Sequence, residues 1–176
     1  VLFLAILITP LLSKAFNIDI ALIETLLPIH ILWINLVTDS LPALALAVDP
    51  PAKDIMERKP LKSKKGIFTK GMTWRVIYQG IIIGLITLAA FIIGLSTEGV
   101  SAEEKVKTGQ TMAFYVLAFS ELVNVFNVRD NKKSIFKTGI FSNMTLILAN
   151  LVSASLMFVI LFTSKLRDIF NLVLLP

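Results

Sequence analysis

Residues 34–43 read Ile-Asn-Leu-Val-Thr-Asp-Ser-Leu-Pro-Ala, which places an asparagine, a threonine and an aspartate inside an otherwise apolar run. The run extends from Ala21 to Val48, and a bilayer crossing needs roughly 20 apolar residues. A carboxylate at membrane depth costs at least about 2.5 kcal/mol, so such a group usually has a function. The stretch therefore predicts a membrane-spanning helix that carries a polar site.

The polar side chains of this stretch are spaced to share one face of a helix. Asn35 and Asp39 are four residues apart, and Thr38 is three residues from Asn35. Pro42 has no N–H for the carbonyl of Thr38, so a backbone oxygen is freed beside the side-chain oxygens. Membrane proteins use such oxygens on locally broken helices to hold hard cations. The pattern predicts half of a cation-binding site.

The composition excludes an ordinary soluble domain and several kinds of site. Hydrophobic residues make up 56% of the 176 residues, which is typical of a polytopic helical membrane protein. The absence of cysteine excludes disulfides and thiolate metal sites, and a single histidine argues against zinc. We interpret that residue, His30, as a packed or interfacial side chain. The net charge of +5 comes from loops beside apolar runs, so membrane topology explains it better than nucleic-acid binding.

Five apolar segments predict an all-α fold, a polytopic transmembrane bundle of about five helices. Their periodicity is helical, without the alternation of a barrel. The predicted spans lie near residues 1–12, 21–48, 76–96, 111–128 and 143–163. The first span is short and the chain begins with Val1, so we expect a truncated helix and a fragment of a longer protein. Gly80 and Gly84 form a GxxxG motif, which predicts close helix packing in the third span.

Basic residues predict the orientation of the spans. Residues 49–75 contain eight Lys or Arg and residues 129–141 contain four, whereas the other connections contain one or two each. Because basic residues gather on the cytoplasmic side of membranes, we expect these two loops inside and the others outside. Loops that alternate in this way between the inside and the outside fit five crossings of the membrane.

A second carboxylate, Glu121, lies well inside the fourth span. Of the 12 Asp and Glu residues, only Asp39 and Glu121 are placed so deeply. Asn124 follows three residues after Glu121 and shares its helix face. A simple hydrogen bond to a neighbouring helix is the alternative for each carboxyl group, and it stays more open for Glu121. Two such groups in different spans can converge on one cation.

Two longer motifs carry a family resemblance. They are Leu32-Trp-Ile-Asn-Leu-Val-Thr-Asp-Ser-Leu-Pro-Ala43 and Asp49-Pro-Pro-Ala-Lys-Asp-Ile-Met-Glu-Arg-Lys-Pro60. Both resemble the P-type calcium ATPases of the sarco/endoplasmic-reticulum-like group and its bacterial relatives. The likeness extends through Gln110–Phe114, Glu121–Asn127 and the order of the spans. It implies that residues 1–176 are a C-terminal membrane region, from late in the fifth transmembrane helix to just before the tenth.

The resemblance also implies a ligand set. Asn35, Thr38 and Asp39 match cation ligands of the sixth helix, and Glu121 matches the carboxylate of the eighth. Asp39 would bridge two calcium sites. Sodium/potassium pumps carry Asp at the position of Asn35 and Gly at that of Val37, which favours calcium as the transported ion here. Manganese remains an alternative.

The remaining machinery of such a pump is expected outside this chain. The phosphorylated aspartate, the nucleotide-binding and actuator domains and further ligands are absent, so Mg²⁺ and ATP would bind in cytoplasmic domains. Those domains, the other helices of the same pump and the lipid bilayer are the expected partners, and nucleic acid is not. The Asp49–Pro60 stretch would couple the ligands to phosphorylation. We expect the chain to be inactive alone and to reside in a prokaryotic plasma membrane. A secondary cation transporter or exchanger is the rival function.

Overall fold

The computed structural model describes residues 2–49, 56, 70–129 and 142–175. Within these ranges the regular structure is helical and strands are absent. The helices are α1 (Leu2–Phe16), α2 (Pro28–Trp33), α3 (Ser40–Ala47), α4 (Lys70–Leu95), α5 (Ala102–Val128), α6 (Met144–Phe162) and α7 (Ser164–Ile169). A π-helical segment, Ile34–Asp39, joins α2 to α3. Most of the two predicted cytoplasmic loops, residues 49–75 and 129–141, lies outside the described residues.

Four helical stretches in the described part are long and apolar enough to cross a membrane. They are Pro28–Ala47, Gly71–Leu95, Ala102–Val128 and Met144–Phe162, with Leu2–Phe16 as a shorter apolar helix. Large apolar side chains such as Phe3 and Phe162 are 79% and 72% exposed, as expected of a surface that faces lipid. The predicted all-α polytopic membrane bundle is confirmed.

The second span begins at Pro28, later than the predicted Ala21. Residues 20–22 form a 3-10 turn instead, and the side chain of Asp19 caps this turn by accepting a hydrogen bond from the N–H of Ala21 at 3.0 Å. Proline at the first helical position then starts α2, because its missing N–H would have no partner there anyway. The membrane span that carries the polar stretch is therefore shorter than predicted, and it begins abruptly at Pro28.

The fourth span begins at Ala102, earlier than the predicted Thr111. Ser101 and Glu104 form a capping box: Ser101 Oγ accepts from the N–H of Glu104 at 3.3 Å, and Glu104 Oε2 accepts from the N–H of Ser101 at 3.1 Å. A charged first turn thus extends the helix beyond the apolar run, and the sequence reading missed it because it followed hydropathy alone.

Helices α4 and α5 approach each other most closely at Gly94 and Gly109. A Cβ atom on Gly94 would lie 2.4 Å from the Cα of Gly109, so only glycine fits at this crossing. A Cβ atom on Gly80 would meet no atom within 4 Å. Gly84, the other glycine of the predicted motif, is buried, so close packing through this motif stays a prediction, and the glycine contact that the structure shows lies further along α4.

An ion pair joins three spans at the end that the basic loops share. Arg129, just after α5, donates to both oxygens of Asp49 at 2.6 and 2.7 Å and to Ser142 Oγ at 2.7 Å. The hydrogen bond to Asp49 raises the pKa of the Arg129 guanidinium above its ordinary value. Because Asp49 follows α3 and Ser142 precedes α6, the contact holds the ends of α3, α5 and α6 together.

The opposite end of the bundle is closed by contacts to main-chain carbonyls. His30 is fully buried, and its Nδ1 accepts from the N–H of Leu27 at 3.2 Å. Its Nε2 therefore carries the proton and donates to the carbonyl of Phe170 at 2.7 Å. Gln110 Nε2 donates to the carbonyl of Glu24 at 2.8 Å. His30 is thus a packed side chain, as the sequence indicated.

Candidate cation site

The π-helical segment Ile34–Asp39 interrupts the second span at the residues that stand out in the sequence. Its turns are wider than those of an α-helix, so the regular pattern of main-chain hydrogen bonds is broken. Side-chain hydroxyls supply donors here: Thr38 Oγ1 donates to the carbonyl of Ile34, and Ser40 Oγ donates to the carbonyl of Asn35, both at 2.7 Å. Such donors make an irregular helix tolerable at membrane depth.

Asp39, the last residue of the π-helical segment, contacts Glu121 of α5. Their carboxyl groups are within hydrogen-bonding reach of each other. The Oε2 atom of Glu121 is buried and has no hydrogen-bond partner in the part of the chain that the structure describes. Two carboxyl groups so close share either a proton or a cation, because two negative charges repel strongly where water is scarce. The pair can therefore exchange a proton for a cation.

Two cavities meet at Glu121. The first has a volume of about 380 Å³ and is lined by Asn35 and Glu121 together with apolar side chains. The second has a volume of about 260 Å³, and its polar lining consists of Thr38, Asp39, Glu121 and Asn124. Each of the four predicted ligands therefore lines one or both of two cavities that share Glu121, and Asn124 is an additional amide in the second.

Most of the chain matches one known family of membrane proteins. A family model described as "Cation transporting ATPase, C-terminus" matches residues 23–176. The chain belongs to this family. Its recognition from the motifs as the C-terminal membrane region of a cation-transporting ATPase is confirmed.

Curated relatives of this ATPase region are themselves calcium-transporting ATPases by name. That of Bacillus cereus is 42% identical over 156 residues, which cover 82% of this chain and 17% of the relative. That of Bacillus subtilis is 40% identical over 163 residues, covering 93% and 18%. An endoplasmic reticulum calcium ATPase of Aspergillus fumigatus is 27% identical over 175 residues, covering 85% and 18%. The chain spans less than a fifth of the length of these relatives.

The polar side chains of the ATPase region differ in their exposure and in the cavity that they line. Asn35 and Asp39 are both exposed and border different cavities. Thr38 is only 2% exposed, and its hydroxyl proton is used in the bond to Ile34. The wider π turns change the angular spacing of these side chains from that of a regular α-helix. The oxygen of Thr38 still borders the cavity of Asp39.

The donor set of the ATPase region suits a hard cation. No group of three or more His, Cys, Asp or Glu side chains that could hold a metal ion occurs among the described residues. The cavities instead offer two carboxyl groups with amide and hydroxyl oxygens, the ligand types that Ca²⁺ and Mn²⁺ accept. Ca²⁺ takes six to eight oxygens, so these side chains supply only some of its ligands.

The sequence reading missed two residues of α6 that contact the site's main chain. Ser153 Oγ donates to the carbonyl of Val37 at 2.8 Å, and Asn150 Nδ2 donates to the carbonyl of Leu122 at 3.4 Å. A signal was available: Asn150 and Ser153 are polar, three residues apart and inside an apolar span, as Glu121 and Asn124 are in α5.

Proposed function

We propose that this chain is the membrane part of an ATP-driven calcium pump and supplies ligands of its transport site. Asn35, Thr38, Asp39 and Glu121 would bind the transported Ca²⁺. The observation that supports this most is the contact of Asp39 with Glu121, because two carboxyl groups from different helices meet beside an irregular helix. Membership in the cation-transporting ATPase family supports a pump over an exchanger.

The transported ion is proposed from the chemistry of the ligands and the names of the relatives. Carboxylate, amide and hydroxyl oxygens favour a hard divalent cation. The similar Bacillus proteins are named calcium-transporting, which favours Ca²⁺ over Mn²⁺. Mg²⁺ and ATP would act in cytoplasmic domains of the parent protein, and the chain alone should neither hydrolyse ATP nor bind Ca²⁺ tightly. The parent protein would reside in a prokaryotic plasma membrane.

Transport requires two arrangements of the site. In one, the oxygens of Asp39 and Glu121 surround Ca²⁺; in the other, the two carboxyl groups share a proton and Ca²⁺ has left. The chain after Asp49 would report this change to the phosphorylation domain. Its position supports the role, because the ion pair of Asp49 with Arg129 lies at the end of the same helices that carry the two carboxyl groups.

The test is calcium-dependent ATP hydrolysis by the full-length parent protein in vesicles. Wild type should be activated by micromolar Ca²⁺. Asp39→Asn should lower the apparent Ca²⁺ affinity on the order of 100-fold or more, because a charged partner of the ion at membrane depth is lost. Asp168 is an exposed residue of α7, so Asp168→Asn is the matched control and should behave as wild type.

Other outcomes would redirect the proposal. Activity that ignores Ca²⁺ and is unaffected by Asp39→Asn would refute it. Activation by Mn²⁺ with no response to Ca²⁺ would keep the pump but replace its ion. Cation flux without any ATP requirement would indicate an exchanger.

A further inference from the structure

One face of α6 donates hydrogen bonds to the main chain beside both carboxylates. Ser153 bonds the carbonyl of Val37 at 2.8 Å, two residues before Asp39. Asn150, one turn earlier on the same face, bonds the carbonyl of Leu122 at 3.4 Å, immediately after the α5 carboxylate. Helix α6 supplies no proposed ligand, but it contacts both backbone segments that carry the proposed ligands.

The bond from Ser153 is deeply buried. Ser153 is 0% exposed and Val37 is 7% exposed, so neither group has water as a substitute partner. A buried polar group that loses its only donor or acceptor pays the cost of its desolvation. The bond from Ser153 is also short at 2.8 Å, whereas the bond from Asn150 is long at 3.4 Å.

Pro42 removes one of the donors that could reach the carbonyl of Val37. In a π-helical turn this carbonyl would accept from the residue five positions later, which is Pro42 and has no N–H. Ser153 supplies a donor to this carbonyl from α6. The irregular segment is thus supported from outside its own helix.

We propose that Ser153 is a positioning residue, assisted by Asn150, which holds the π-helical segment in the register where Asp39 meets Glu121. Through this support it sets the affinity of the site for the transported cation without touching the cation. The inference rests on the proposed function for the identity of the ion, and the support of the segment stands on the hydrogen bond alone.

The first measurement is the Ca²⁺ dependence of ATP hydrolysis by the full-length pump in vesicles. Ser153→Ala should lower the apparent Ca²⁺ affinity about fivefold and leave the maximal rate at saturating Ca²⁺ unchanged, because one buried hydrogen bond is lost. Ser155→Ala is the matched control: Ser155 is exposed two residues later on the same helix and bonds only the carbonyl of Leu151 within α6. It should match wild type.

Conservative variants separate positioning from simple packing. Ser153→Thr keeps a hydroxyl donor and should restore the affinity to within about twofold of wild type. Ser153→Cys keeps the size but has a weaker donor, so it should give an intermediate loss, and it serves if Ser153→Ala does not fold. Unchanged affinity in Ser153→Ala and Ser153→Cys, or an equal loss in Ser155→Ala, would overturn the inference.

A second measurement tests whether Ser153 supports the π-helical segment, and it does not depend on the identity of the ion. Hydrogen–deuterium exchange of a peptide that covers residues 34–42 should be faster in Ser153→Ala than in Ser155→Ala. Equal exchange in the two variants would overturn the inference. A wild-type pump that shows no response to Ca²⁺ would refute the proposed function instead, and the exchange result would still decide whether α6 supports the segment.

Discussion

Helix α5 is held by its two neighbours in different ways. Against α4, the backbones touch at Gly94 and Gly109 with no room for a side chain. Against the span that carries the π-helical segment, polar contacts join the helices at separate points, Arg129 with Asp49 at one end and the carboxyl pair in the middle, and His30 stacks on Phe114 of α5. One side has a tight backbone contact at the glycine crossing and a cavity of about 520 Å³ between the same helices further along, and the other side carries individual polar bonds.

The difference indicates which contact is able to change during transport. A close-packed contact cannot slide without opening gaps that cost dispersion energy along its length. Hydrogen bonds and ion pairs can be exchanged one at a time, with the proton or the cation as an alternative partner. We therefore expect α4 and α5 to move together, while the π-helical segment shifts against α5.

The largest effect is expected where α4 and α5 touch. Gly94→Leu should prevent correct folding of the parent pump, with a loss of more than about 3 kcal/mol, because even a Cβ atom collides with Gly109 there. Gly80→Leu, on the same helix but with open space around it, should be tolerated. Fluorescence-detected size-exclusion chromatography of the two variants measures the folded fraction. Equal yields would refute the assignment of the close contact to Gly94.

The next effect is expected at the ion pair of Arg129 and Asp49. Their side chains are 6% and 17% exposed, so Arg129→Gln should destabilise the pump by about 3 kcal/mol by leaving Asp49 without its charged partner. The double variant Asp49→Asn with Arg129→Gln should lose less, because neither charge remains. Lys165→Gln, an exposed residue of α7, controls for the change in net charge. Thermal midpoints in detergent measure the order of the variants.

The same pair predicts how this stabilisation depends on pH. The pKa of Arg129 is raised by its hydrogen bond to Asp49, so the contribution of the arginine is complete below its ordinary pKa and is lost only above it. The difference in thermal midpoint between wild type and Arg129→Gln should therefore be equal at about pH 6.5 and about pH 8.5. A difference that shrinks toward the higher pH would contradict a charged arginine at this contact.

The smallest of these effects is expected at Glu121. If a proton and Ca²⁺ compete for the carboxyl pair, raising the pH should raise the apparent Ca²⁺ affinity of wild type, by up to about tenfold per pH unit for one competing proton. Glu121→Gln should weaken binding and flatten this dependence. Glu103 is an exposed residue of the same helix, and Glu103→Gln should keep the pH dependence of the apparent Ca²⁺ affinity. An unaltered pH dependence in Glu121→Gln would exclude Glu121 as the proton carrier.

The sequence predicts the helical bundle well because membrane spans can be recognised by their length and hydropathy. Asp39 and Glu121 were also predictable, since a carboxyl group inside an apolar run is rare for an energetic reason. The structure then places these two side chains in contact, although they are 82 positions apart in the chain. Their identity as ligands remains a prediction.

What the sequence does not reveal is the local geometry. Residues Ile34–Asp39 form a π-helical segment, and Asn35 lines one cavity while Thr38 and Asp39 line the other. Two glycines four apart predict packing at Gly80 and Gly84, but the tight crossing at Gly94 depends on how far α5 extends toward Gly109. Both features depend on tertiary contacts, which choose among local patterns that the sequence leaves equivalent.

Four hydrogen bonds that join elements of the bundle share one property: their acceptors are main-chain carbonyls. Ser153, Asn150, Gln110 and Tyr115 each donate to a carbonyl of another helix or turn. A carbonyl is present whatever the side chain of its residue. If every residue of this region were substituted in turn, the donor positions should therefore tolerate few replacements. Acceptor positions such as Val37 should tolerate most residues of similar size.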